Sequence, residues 1–211
     1  MQQIADDLRL VIPVTYDATG DPVIYAYHTP ISHAVFQANF AVIARTNAAI
    51  FKEGFAYAQL SGITTAALEL KEQAEKYAAE RGILAPDGKS FMDMAKPILT
   101  EIERLTLILA PTPQGWQELP VSVAINQGHI KEEDWQEAES QLVFFSVSYA
   151  VESRHRKIWR MKILADLIFG SHVTSLAPTA WIDFLLKSRK EENSEKEEKT
   201  EQPKAVSSVP I

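Results

Sequence analysis

The chain has no cysteine among its 211 residues. Disulfides, thiolate metal sites and cysteine nucleophiles are excluded together, and the composition fits a reducing compartment. Long apolar runs are missing too. The longest nearly unbroken one, LVFFSVSYAV at residues 142–151, is about half of the ~20 residues that a bilayer-spanning helix needs. The first ten residues, MQQIADDLRL, hold two aspartates and no apolar stretch of signal-peptide length. Positive charge is in deficit: 21 Lys and Arg stand against 28 Asp and Glu, a net charge of −7. An acidic surface repels phosphate backbones, which argues against a nucleic-acid partner. The expectation is a soluble intracellular protein with no membrane segment. Its length suits one domain with a sizeable core, or one domain and a tail.

Catalytic and cofactor signatures are equally scarce. There is no H-E-x-x-H pattern, no G-x-S-x-G elbow, and no pair of carboxylates placed for acid–base work. Glu101 and Glu103 are two residues apart and point to different sides of a helix. GILAPDGKS at residues 82–90 is one residue too long for a phosphate-binding loop, with Gly88, Lys89 and Ser90 forming the right ending. A true phosphate loop follows a buried strand and opens a helix. Here the segment follows a helical pattern, and Pro86 removes one of the N–H donors. The favoured reading is a helix stop at Gly82, a turn over APDG, and a restart. His28 and His33 flank a proline turn, but a metal site would need two further ligands. Asp17 and Asp21 suit a hairpin turn better than a calcium loop. No catalytic residue, cofactor or metal is expected.

What is present reads as a mainly α (α+β) protein. LRLVIPVTYD and DPVIYAYH, separated by ATG, predict an N-terminal β-hairpin over about 8–30. Pro13 and Pro22 each lack a ladder donor and belong at an edge or a strand start. Ser32 is a good N-cap for a helix whose stripe runs Phe36, Phe40, Ile43, Ile50, with Gly54 as its stop. Ile63, Ala67, Leu70, Ala74 and Tyr77 keep the 3.6-residue period and predict a helix over 63–81. Ile98, Ile102, Leu105 and Leu109 predict another from Pro97 to Leu109, with a separate short helical turn over FMDMA before it. APTPQG stops that helix, and LPVSVAINQG reads as a short one closed by Gly128. KEEDW opens a long helix over 132–153 with acids at its N-terminus. Further helices are expected after residue 154 and after Pro178. The domain spans 1–187, a hairpin followed by a multi-helix bundle. The tail 188–211 is dense in charge and poor in apolar residues, and is expected to be disordered.

Two stretches point to function. The helix over 132–153 is apolar nearly all round from 142 to 151, so it is either central to the core or covered by a partner or a second copy. RHRKIWRMK at 154–162 carries five basic residues and Trp159. It reads as the basic end of a helix begun by acids, or as a surface for an acidic partner, a nucleic acid or a membrane, of which the acidic body favours an acidic protein segment over DNA. On the partner reading the interface residues are Phe144, Phe145, Val147, Tyr149 and Trp159.

The order of these segments resembles the tail assembly chaperones of long-tailed bacteriophages. The resemblance rests on VIPV, YAYHTPISHAVFQANF and AAIFKEG near the start, then AALELKEQAE, then residues 98–154 from ILTEIERL to YAVESR. It covers roughly residues 8–156, and TSLAPTAWIDFL (174–185) resembles the family's short end segment. It implies a non-enzymatic protein that keeps the helical tape-measure protein soluble, recruits tail-tube subunits to it, works in the host cytoplasm and is absent from the mature virion. The alternatives are a minor structural tail protein retained in the virion and a generic helical protein-interaction module.

Overall fold

The computed structural model describes residues 8–52, 54 and 61–188, which fall into two compact units, one ending at Ser175 and one beginning at Leu176. In the first unit β1 (Arg9–Tyr16) and β2 (Pro22–His28) form the expected hairpin. Two short helices follow, α1 (His33–Ala38) and α2 (Phe40–Ile50), and then the long α3 (Ile63–Arg81). Next come α4 (Lys96–Arg104), β3 (Thr106–Thr112), β4 (Gly115–Pro120) and α5 (Val121–Asn126). The unit closes with α6 (Glu132–Ala150), a 3-10 turn at Arg154–Arg156, α7 (Lys157–Leu167) and β5 (His172–Thr174).

The expectation of a hairpin on an otherwise helical bundle is corrected here. The five strands make one antiparallel sheet of order β4-β3-β2-β1-β5. The misreading lies at residues 105–112. Leu105 and Leu109 continue the helical spacing of Ile98 and Ile102, yet α4 ends at Arg104 and the chain turns extended. Ile108, Leu109 and Ala110 are all fully buried. A strand covered on both faces lacks the polar alternation that marks a half-exposed one, so its pattern passes for helix. Residues 110–115, expected to stop a helix, instead hold the end of β3, the two-residue turn Pro113–Gln114 and the start of β4, with Pro111 opposite Trp116 and Thr112 opposite Gly115. β5 has only three residues, too few for any periodic signal.

Two smaller corrections follow from local chemistry. The helix expected to run unbroken from Ser32 to Gly54 breaks at Asn39, whose side-chain amide donates to the Val35 carbonyl at 2.9 Å. FMDMA forms no helical turn. Phe91 bridges to Leu84, and the Asp93 carboxylate accepts from the Ala95 and Lys96 amides, both at 3.0 Å, to set the entry to α4. Pro13 lies within β1 where that strand is an edge, one of the two placements expected for it. It is tolerated because β5 pairs only with Arg9–Val11 and the β1–β2 register shifts just beyond it. The α3 boundaries, the Ser32 cap (Val35 N to Ser32 Oγ, 3.3 Å) and the left-handed Gly82 stop follow the sequence pattern.

α6 is the centre of the core. It packs against α2, α3, α4, α7 and β1, which explains why it is apolar on every side. Its start is fixed by Asp134, whose carboxylate accepts from the Lys131 amide at 2.9 Å, half of a capping box. The sheet turns Leu10, Ile12, Ala26 and Ile108 toward this helix, while Val11, Tyr25, Tyr27 and Leu109 point the other way and are also buried. The second unit contains a helix over 178–188, with Trp181 and Ile182 buried and Phe184 exposed. The tail from 189 onward lies outside the described residues.

Candidate protein-binding cleft

The five residues proposed for a partner interface separate into two groups. Phe144, Phe145 and Val147 are fully buried and Tyr149 is 6% exposed, whereas Trp159, on α7, is 56% exposed. The first four are core side chains in this fold and leave no free apolar face on the middle of α6.

The C-terminal end of α6 does reach the surface. Tyr149 to Glu152 form one wall of an open cleft of about 590 Å³, Thr29 to His33 and Phe36 form the other, and Lys157, at the start of α7, completes the lining. Local chemistry builds each wall. The second wall begins where β2 ends: the Thr29 amide donates to the Leu105 carbonyl at 2.9 Å, and Ser32 then caps α1. α1 buries none of its six residues. Phe36 sits 6.0 Å from His33 and 5.7 Å, edge to face, from Phe40, which is 56% exposed. On the facing wall Val151 is 38% exposed.

An aromatic column ties the cleft to the core. Phe145 stacks on Tyr149 with ring centres 5.7 Å apart, and the Lys157 ammonium lies 4.5 Å from the Tyr149 ring centre. At the inner end Phe145 meets His28 edge-on at 6.4 Å. Among the described residues Glu152 is the one carboxylate in the cleft lining. It accepts from the Ser153 amide at 2.9 Å and pairs with Arg156 at 2.9 Å, and these bonds, the Ser153 amide foremost, hold its carboxyl below the usual range. The basic stretch 154–162 is not the end of α6, which stops at Ala150. It forms the 3-10 turn and the first half of α7 instead.

His28 is the functional-looking residue whose environment the sequence hid. It is fully buried, and its register partner across the sheet is Thr106. Thr106 Oγ1 donates to the Ile102 carbonyl at 2.7 Å, so it accepts from His28 Nδ1–H at 2.9 Å. The Nε2 atom is left to accept from the Ser146 hydroxyl at 3.2 Å. The order hydroxyl, imidazole, oriented second hydroxyl imitates a nucleophile and its base. Ser146 and His28 are fully buried and Thr106 is 1% exposed, so no substrate reaches them. Burial, with Arg9 adding to it, pushes the His28 pKa down to about 3, so the ring is neutral. Both ring nitrogens are engaged, and the pairing of His28 with His33 considered from sequence does not form a ligand set. Among the described residues no group of three or more His, Asp or Glu side chains is placed to hold a metal.

The GILAPDGKS loop explains itself. The Asp87 carboxylate accepts from the Lys89 amide at 2.9 Å and the Ser90 amide at 3.1 Å, and from the Ser90 hydroxyl at 2.7 Å. Those donors are the ones a phosphate would need, and a carboxylate of the same loop already occupies them. Titration with ATP or GTP is therefore expected to show no saturable binding, with Lys89→Ala indistinguishable from the parent. Saturable binding that Lys89→Ala abolishes would refute this. Asp17 plays the same part in the first hairpin, accepting from the Thr19 and Asp21 amides at 2.9 and 3.0 Å.

Among the described residues no helix is long and apolar enough to cross a membrane. Comparison of the chain with protein-family models, with curated proteins and with solved structures finds no match.

Proposed function

We propose that the chain is a non-enzymatic binding protein that holds an apolar helical segment of a larger partner, acting as a tail assembly chaperone of a long-tailed bacteriophage. The partner in this reading is the tape-measure protein, to which the chaperone also recruits tail-tube subunits in the host cytoplasm. The observation that carries the reading is α1. A six-residue helix with no buried residue, bearing Phe36 and leading into exposed Phe40, borders a cleft whose far wall presents Val151. Apolar side chains clustered beside a concave surface are the usual mark of a docking site. A groove of this kind accepts the apolar face of a helix. The resemblance to the phage chaperones in residues 8–156 supplies the identity of the partner.

The test is co-expression with the large helical tail protein encoded alongside it. The client is expected in the soluble fraction only when this chain is present. Val151→Glu, which places a charge on the exposed cleft wall, is expected to remove most of that effect while leaving the thermal melt of the chaperone unchanged. A client equally soluble alone, or one rescued fully by Val151→Glu, would count against the reading.

A further inference from the structure

Charge is distributed unevenly around the cleft. Between Asp21 and Glu53 the sequence has no Asp or Glu, in a chain that carries 28 of them. The whole wall from Thr29 to Phe36 lies in this acid-free stretch. The opposite side leads into the most basic segment of the protein, with five cations against two carboxylates between Glu152 and Asp166. One of those two, Glu152, is the carboxylate already bonded to Ser153 and Arg156. The carbonyl end of α6 adds partial negative charge, which the Lys157 ammonium over Tyr149 and the Arg156 guanidinium offset. The cleft lining itself carries one cation, Lys157, and one carboxylate, Glu152, which Arg156 pairs, so these three groups sum to +1 on a protein whose net charge is −7.

We propose that the segment seated in this cleft is an amphipathic helix whose apolar face is flanked by carboxylates. This rests on the docking role proposed above and specifies its guest. The apolar face lies against Phe36, Tyr149 and Val151, and the acidic edge faces Lys157 and the turn at 154–156. The general field of an acidic protein repels an acidic helix everywhere else, so the charge pattern selects this one site and speeds the approach to it. A basic client helix, by contrast, is attracted to the rest of the surface and has no reason to settle here.

Three synthetic helical peptides of one length test this, with the same leucine face and with flanking positions occupied by Glu, Gln or Lys. Binding is read by fluorescence anisotropy of the labelled peptide. The Glu peptide is expected to bind about five- to tenfold more tightly than the Gln peptide, as a few partly exposed charge contacts allow, and the Lys peptide most weakly. The advantage shrinks as salt is raised. Lys157→Gln, or His155→Glu at an exposed neighbouring position, reduces the Glu advantage several-fold and leaves the Gln peptide unaffected, with the melting temperature of each variant as a check on folding. Equal binding of the Glu and Gln peptides, insensitive to both substitutions, overturns the charge assignment while the docking role stands. No binding of any peptide overturns the docking role as well.

Discussion

Replacing Phe145 by alanine is expected to lower unfolding stability by about 3–5 kcal/mol, the usual cost of emptying a fully buried aromatic site. The ring is fully buried, stacks on Tyr149 and meets His28 edge-on. Its loss removes apolar contact in the middle of α6 and opens a void beside a polar chain that depends on tight walls. Urea denaturation followed by circular dichroism measures the effect. Trp159→Ala is the control: its side chain is 56% exposed, and the change is expected to fall within about 0.5 kcal/mol. A cost below about 1 kcal/mol for Phe145→Ala would mean that α6 is not the core helix described here. The contrast governs how binding experiments are read. Phe144→Glu or Phe145→Glu buries an unpaired carboxylate and is expected to prevent folding. Loss of client solubility in either variant would then report an unfolded chaperone. Val151→Glu alters the cleft wall without touching the core, and is the informative change.

The same division shows what the sequence made legible. Elements with strong periodicity and matching caps were readable: the hairpin turn at Gly20, α3 between Ile63 and its Gly82 stop, α5 closed by Gly128, and α6 with its acidic first turn. β3 was not, because Thr106 to Ala110 is apolar on both faces and follows a real helix in register. Nor could spacing separate the two readings of residues 142–151. An all-round apolar helix looks the same whether covered by its own chain or by another, and only the placement of α2, α3, α4, α7 and β1 around it decides. The cleft has no linear signature. Thr29–Phe36 and Tyr149–Lys157 are more than a hundred positions apart in sequence, and they meet because β2 and α6 end at the same edge of the core. Not even α1 hinted at it, because the stripe from Phe36 to Ile50 reads as one long helix through Asn39.

Acid is expected to destabilise the protein in two separate windows, and His28 governs the first. The unfolded histidine titrates near 6.5 and the folded one near 3, so between these values the unfolded chain takes up a proton that the folded chain refuses. The stabilisation from keeping His28 neutral is complete above pH 6.5 and is lost progressively as the pH falls toward 3. Its upper bound is about 5 kcal/mol, from about 1.4 kcal/mol for each pKa unit. Asp17, Glu80, Asp87, Glu101 and Glu152 move the other way relative to their charge: hydrogen bonds lower their pKa values. Their contribution is present above the ordinary carboxylate range and disappears only below about pH 4. Denaturation midpoints measured from pH 8 to pH 3 should therefore begin to fall near pH 6.5, well before the carboxylates titrate. His28→Asn separates the two causes. Its amide keeps a donor for Thr106 but gives Ser146 no imidazole acceptor, so the variant starts less stable at pH 8 and its midpoint does not fall between pH 6.5 and 4.5, where burial of Glu139, which raises its pKa, works in the opposite direction. If the parent is also level across that window, or the variant falls in parallel with it, the buried Ser146–His28–Thr106 chain is not what makes the fold acid-sensitive.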